Sequence, residues 1–113
     1  MSLADEILAV NDRPGVEAQA WGKTLRIVPM SGIDRDSFDV ALHDAGGREK
    51  MHNWRAQFLV RCLYDLEGNR VFTNEQAEAL GQKHAETIRR LFDIATNENE
   101  TGPVAVEEAA KNS

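Results

Sequence analysis

Residues 49–63, EKMHNWRAQFLVRCL, do most to narrow what this chain can become. Met51, Trp54, Phe58 and Cys62 recur at 3-4-4 spacing, and Leu59 and Leu63 widen the stripe. An apolar band of that period covers one face of an α-helix and has to be buried against something. The spacing predicts a helix over 49–63 with Trp54 and Cys62 in the core. A chain of 113 residues with 42% hydrophobic residues can supply one modest core around that helix and is too short for two. A domain of this size buries only about two-thirds of its unfolded surface, so self-association has stability to add.

The flanking segments predict what surrounds that helix. In LADEILAV, residues 3–10, Leu3, Ile7 and Val10 share a helical face, and the turn cluster NDRPG follows. The period then changes. A first strand is expected near Val16 to Ala20, a turn at Trp21-Gly22-Lys23, and a second strand over Thr24 to Val28 that Pro29 stops. Leu25 and Ile27 would face one side of it, and Thr24, Arg26 and Val28 the other. Ser31 caps a helix, with Asp34 completing a variant of the capping box. Phe38, Ala41, Leu42 and Ala45 form its stripe, and Gly46-Gly47 ends it.

Beyond the central helix, Glu67-Gly68-Asn69 is a turn between short extended pieces, 63–66 and 70–72. Thr73 and Gln76 make a capping box, Leu80 anchors the turn that follows, and Gly81 stops it. A last helix is expected from about Lys83 to Thr96, carrying Ile88, Leu91, Phe92 and Ala95 on one face, with NENETGP ending it. The remaining VAVEEAA is too short to hold a helix alone. The predicted architecture is mainly α with a small N-terminal β-hairpin, an α+β domain of about four main helices over residues 1–99, with a flexible C-terminal tail over 100–113.

Charge and cysteine usage exclude several roles. The formal net charge is −6, and an acidic domain repels phosphate backbones, which disfavours nucleic acid as a partner. The single cysteine, Cys62, can form no internal disulfide and fits a reducing compartment. MSLADEILAV has neither a basic leader nor a long apolar run, so no secretory signal is expected, and no stretch approaches the roughly 20 apolar residues of a membrane span.

No pattern points to catalysis or to a cofactor. His43, His52 and His84 lack metal-ligand spacing and read as structural or surface residues. Cys62 sits on an apolar stripe and reads as a small buried residue rather than a nucleophile. Asp65, Glu67 and Asn69 around Gly68 have the wrong glycine position and no distal glutamate for a calcium loop, and read as a hairpin turn. Trp21, at the predicted hairpin turn, is the residue best placed to anchor a partner; its plainer reading is a lid folded back on the core. No enzyme activity, metal or cofactor is expected, and the residues favour binding to other proteins.

Several segments taken together resemble the tail assembly chaperones of long-tailed, siphovirus-like bacteriophages and prophages. ILAVNDRPGVEAQAWGKTLRIVPMSGIDRDSF is similar to their N-terminal part: a strand, W-G, a second strand, then a helix opening on a small polar residue. CLYDLEGNRVFTNEQAEALGQKHAETIRRLFDIA is similar to their second half, in which a D-x-x-G-x-x-x-F-T turn and an EALG segment precede the last helix. The resemblance covers about residues 7–99 and rests on order and spacing; ALHDAGGREKMHNW matches least well.

The resemblance implies a holding function. Such chaperones coat the long, apolar tape measure protein, keep it soluble and recruit tail tube subunits that displace them. It implies work in the cytoplasm of the bacterial host, self-association, and absence from the mature virion. It also implies a longer product made by a programmed frameshift, because Ala110-Lys111-Asn112 can be encoded with the slip heptamer A AAA AAC. The expected partner-binding residues are Trp21, Ile27, Val28 and Met30, on the hairpin's edge and outer face. The competing reading is a permanent minor structural protein of the phage tail or head–tail junction.

Overall fold

The structure, a computed structural model, describes residues 1–100. Most of the expected tail, its VAVEEAA turn and the slip-site residues Ala110, Lys111 and Asn112 lie outside the described residues. Helices α1 (Leu3–Ala9), α2 (Gly32–Ala45), α3 (Trp54–Leu59), α4 (Ala77–Gly81) and α5 (Ala85–Glu100) surround a small antiparallel sheet of β1 (Val16–Ala20), β2 (Lys23–Ile27) and β3 (Leu63–Tyr64). The chain is thus α+β, as expected. The hairpin is preceded by α1, and β3 makes it a three-stranded sheet.

The hairpin forms where the sequence places it. Val16 pairs with Ile27 and Ala20 with Lys23 across a two-residue turn. Trp21 and Gly22 both take positive φ, +54° and +72°, the twist that suits a tight hairpin. At the other end Gly15, with φ +69°, lies so close to the Ile27 carbonyl that a Cβ would collide with it. That contact seats the incoming chain against β2. Arg26 reinforces it by donating to the Pro14 carbonyl, 2.6 Å from Nη2. From the far side of the sheet Arg90 of α5 donates Nη2–H to the Gln19 carbonyl at 2.7 Å.

The helix expected over 49–63 is the main correction. Residues 48–50 form a single 3-10 turn, α3 covers only Trp54–Leu59, and the chain then turns into β3. Two causes act. Asn53 sits at φ +59°, which breaks the helix before Trp54. Its amide donates to the Ala77 carbonyl (3.3 Å) and to Glu78 Oε2 (2.8 Å), and it packs so tightly on Gly81 that a Cβ there would strike it. Downstream, Leu59, Val60, Cys62 and Leu63 are all buried, so no exposed helical face remains. The segment instead pairs with β2, Leu63 opposite Ile27, and the Cys62 carbonyl accepts the Val28 N–H at 2.8 Å.

The core sits between the sheet, α3 and α5. Ile88, Leu91, Phe92 and Ala95 of α5 are buried as their spacing predicts. They meet Ile27, Phe58, Leu59, Leu63 and Leu80. Phe38, Trp54, Phe58 and Phe92 form an aromatic cluster, with Trp54 edge-on to Phe92 at 4.8 Å between centroids. Fully burying each such side chain contributes about 1.5–3 kcal/mol. Helix α2 gives this core only one buried residue, Phe38. Its cap is also simpler than expected. Ser31 Oγ accepts the Asp34 N–H, while the Asp34 carboxylate faces Arg70 (3.6 Å) instead of returning to the cap. Buried Arg61 ties α2 to α3 by donating to the Gln57 carbonyl (2.6 Å) and to Ser37 Oγ (3.0 Å).

Helix α5 runs past the expected stop at NENETGP, through Glu100. Asn99 in its last turn makes tertiary bonds: its Oδ1 accepts the Met30 N–H at 3.0 Å and its Nδ2–H points to Cys62 Sγ at 3.7 Å. The capping box at Thr73 and Gln76 is formed. In the 65–70 turn, Asp65 Oδ1 accepts the N–H groups of Glu67 and Asn69, both at 2.9 Å. These bonds hold the Asp65 carboxyl below its ordinary range and commit it to its own turn, the hairpin reading made from sequence.

Candidate partner-binding surfaces

The four residues expected to bind a partner separate into two groups. Trp21 stands at the hairpin turn and is 37% exposed. Ile27, Val28 and Met30 are buried, and this corrects the expectation of an apolar docking face there. The reason is topological. β3 makes β2 the central strand, which removes its free edge, and Ile27 and Met30 pack into the core cluster. Val28 and Met30 are held inward by backbone bonds to Cys62 and Asn99, and Arg13 Nη1 donates to the Pro29 carbonyl between them.

Trp21 borders a shallow hollow of about 120 Å³. Phe72, Ala79, Leu80 and the stem of Lys83 supply most of its wall. The capping box at Thr73 places α4 so that Ala79 is exposed and Leu80 is buried beneath. Trp21 holds this position at a cost. A bulky residue at positive φ costs about 1–2 kcal/mol in its backbone. Strain of that kind collects where a side chain is needed in one place.

Two further surfaces carry exposed apolar side chains that the sequence reading did not offer as binding surfaces. Helix α1 is closed at its start by a reciprocal capping box, Ser2 Oγ with the Asp5 N–H (3.1 Å) and Asp5 Oδ2 with the Ser2 N–H (3.3 Å). None of its residues is buried, and Leu3, Ile7, Leu8 and Val10 are 61–82% exposed. Its charges, Asp5 and Glu6, are acidic, with no base in its last turn. On α2, Ile33 and Val40 lie two turns apart on the outer face and are both exposed. The helical spacing in α1 was visible in the sequence. That its stripe faces solvent is a tertiary fact.

The histidines assemble no centre. His52 Nε2 lies 2.9 Å from Glu78 Oε2 on the surface, and His43 and His84 are exposed elsewhere. Among the described residues no three His, Cys, Asp or Glu side chains converge as metal ligands would. Cys62 is fully buried, and burial pushes its thiol up to about 12, with the Asn99 amide opposing. Such a thiol stays protonated and unreactive in the native fold. No helix among the described residues is long and apolar enough to cross a membrane. Comparison with models of known families, with curated proteins and with solved structures gives no match for this chain.

Proposed function

We propose that this chain is a tail assembly chaperone of a long-tailed bacteriophage or prophage, a non-catalytic protein that holds the tape measure protein soluble until tail tube subunits replace it. The observation that carries the reading is the apolar surface left outside a complete core: Leu3, Ile7, Leu8 and Val10 on α1, Ile33 and Val40 on α2, and Trp21 at the hairpin turn. Apolar side chains clustered on one exposed face, as Leu3 and Ile7 are on α1, suit contact with another protein. The order of segments in the sequence says which kind of protein that is.

A holding protein needs broad, weakly specific apolar contact with a long helical partner, and α2 offers it. Ile33 and Val40 repeat at two-turn spacing, flanked by Asp36 and Asp39, which keep the free domain soluble. The same reading places the chain in the host cytoplasm and outside the finished particle, and gives it a longer frameshifted product.

The test is co-expression with the tape measure protein of the same tail. With this chain present the tape measure protein should move from the insoluble to the soluble fraction, and Ile33→Ser with Val40→Ser should reverse that without unfolding the chaperone. A tape measure protein that stays insoluble in its presence would sink the reading. Finding the chain in purified mature particles would replace it with a permanent minor structural protein of the tail or head–tail junction. Sequencing the RNA over codons 110–112 and the frame beyond tests the longer product separately.

A further inference from the structure

We propose that helix α2 is a strap that opens from the domain as one unit while the sheet, α3 and α5 stay folded, uncovering the aromatic cluster around Phe38. The opening is a property of the free chain. Only its use by a client rests on the proposed function: an opened α2 would offer Phe38, Trp54 and Phe58 besides Ile33 and Val40.

The seam beneath α2 is polar where the rest of the core is apolar. α2 has 14 residues and one buried side chain, Phe38, with Leu42 packed partly against the core. α5 has 16 residues and buries four. Between them, the other ties of α2 are Arg61 Nη2 donating to Ser37 Oγ (3.0 Å), Asn74 Nδ2 donating to the same oxygen (3.4 Å), and Arg70 Nη1 beside Asp34 Oδ1 (3.6 Å). Water can take over each of these bonds, so their net hold is small. The main apolar contact opposing release is a single ring.

Closing the seam also leaves donors unmet. Among the described residues, two buried side-chain N–H groups make no hydrogen bond, Trp54 Nε1 and Arg61 Nε. Both belong to residues packed on the Phe38 ring: the Trp54 ring is edge-on at 6.3 Å and the Arg61 guanidinium lies 5.7 Å away. A buried donor without an acceptor keeps a desolvation cost that contact with water removes. Charge acts in the same direction. Arg61 is 3% exposed, and its hydrogen bonds go to Gln57 and Ser37, not to a carboxylate. Asp34 faces Arg70 instead, and Glu75 is exposed on the turn nearby. Burial first, and then the Arg70 charge, hold the Arg61 pKa below its ordinary value.

The ends of the strap stay attached when its middle opens. The Met30 N–H, just before the Ser31 cap, is held by Asn99 of α5. At the other end Gly46 and Gly47 take φ +90° and +109°, where glycine lets the chain turn at little cost. Isolated helices of about 12–15 residues are marginal in water, so α2 melts once Phe38 leaves the core. Its backbone N–H groups then meet solvent, and hydrogen exchange reads the opening.

The experiment is native-state hydrogen exchange of the full chain alone, followed by NMR with small additions of urea. Amides of Phe38, Ala41 and Leu42 should share one opening constant, about 100-fold or more above that of Leu91, Phe92 and Ala95. Their urea dependence should be the weaker, because less surface is exposed. The Trp54 indole proton should exchange with the α2 group and not with the α5 group. Ile88→Val, in the part that stays folded, should speed α5 exchange by about 2- to 10-fold and leave α2 exchange unchanged. Asp34→Asn breaks a tie lost on opening, so it should speed α2 exchange by about 3- to 10-fold. Phe38→Leu should speed it too, by a route that spares the charges. Exchange of α2 only together with α5, opening constants that differ residue by residue along α2, an indole proton protected like α5, or Ile88→Val speeding both groups equally would overturn the proposal. None of these outcomes involves a client, so the co-expression test of the function stands apart from them.

Discussion

The Asn99 amide oxygen accepts the backbone N–H of Met30 at 3.0 Å, joining the last turn of α5 to the segment that leaves β2. The same side chain donates to the Ala95 carbonyl at 2.7 Å, which fixes its rotamer. The bond closes over Cys62 and Met30, and it explains why Met30 belongs to the core. Removing the acceptor leaves a part-buried donor without a partner, which costs about 1–3 kcal/mol. Asn99→Ala should therefore lower the unfolding free energy read from urea denaturation by that amount, and Asn99→Asp, which keeps an acceptor, by less. A loss under about 0.5 kcal/mol for Asn99→Ala would show that the contact holds nothing.

Cys62 gives a pH dependence with a definite sign. Its thiol is raised from 9.0 to about 12 in the folded protein, chiefly by burial. The folded state keeps a proton that the unfolded state releases, so this contribution is complete below about pH 9 and is lost as pH rises toward 12. Stability should fall between about pH 8.5 and 10 with a slope approaching 1.4 kcal/mol per unit from this group. Cys62→Ala will be less stable at neutral pH because of the cavity, but its curve should be flatter in that window. Equal slopes would show that Cys62 does not carry the effect.

Gly81 and Asn53 make a coupled pair. On helix propensity alone, Gly81→Ala should stabilise α4 by roughly 1 kcal/mol. The collision with the Asn53 amide predicts the reverse, a loss of about 1–3 kcal/mol. Asn53→Gly removes the obstacle and accepts the positive φ of that position, so the double variant should recover part of the loss. A double-mutant cycle from chemical denaturation reads the coupling directly, and additive single effects would refute it.

Trp21 sets stability against contact. Trp21→Gly relieves about 1–2 kcal/mol of backbone strain and forfeits the packing of a partly covered ring. The terms oppose, so the thermal midpoint should move by only a few degrees and the helical circular dichroism should stay near that of wild type. Under the proposed function, solubilisation of co-expressed tape measure protein should weaken, since the hollow beside Trp21 loses a wall. Trp21→Ala keeps the strain and loses the ring, so it should be the less stable of the two. Undiminished solubilisation by both variants would remove Trp21 from the binding surface.

What was legible in the sequence was set by local chemistry. The α5 stripe, the capping box at Thr73, the Ser31 cap and the Trp21-Gly22 turn all depend on neighbours a few residues apart, and they stand where the residues place them. The region 49–63 misled because FLVRCL is apolar except for Arg61, which is itself buried. Period alone cannot separate a buried helix from a buried strand there, and pairing with a distant β2 decided it. β3, two residues long, is too short to show any alternation. An extended piece was expected over 63–66, but its pairing with β2 was not, and that pairing turned the expected docking residues Ile27 and Val28 into core. At Asn53, tertiary bonds to Ala77 and Glu78 hold a left-handed conformation that propensity would not assign within a helix.

The bond from Arg90 to the Gln19 carbonyl bears on how this molecule can meet others. In a hairpin closed by a two-residue turn, Gln19 lies at a non-hydrogen-bonded pair with Thr24, so its carbonyl faces away from β2. An unpaired strand rim of that kind is a template on which foreign chains add and aggregates grow. Here a guanidinium from α5 occupies it, and Glu17 places a negative charge on the same strand. A strand arriving at β1 would have to evict Arg90 before pairing. The β1 edge is thereby guarded at this point, and other chains can meet the molecule through its side chains without extending its sheet there.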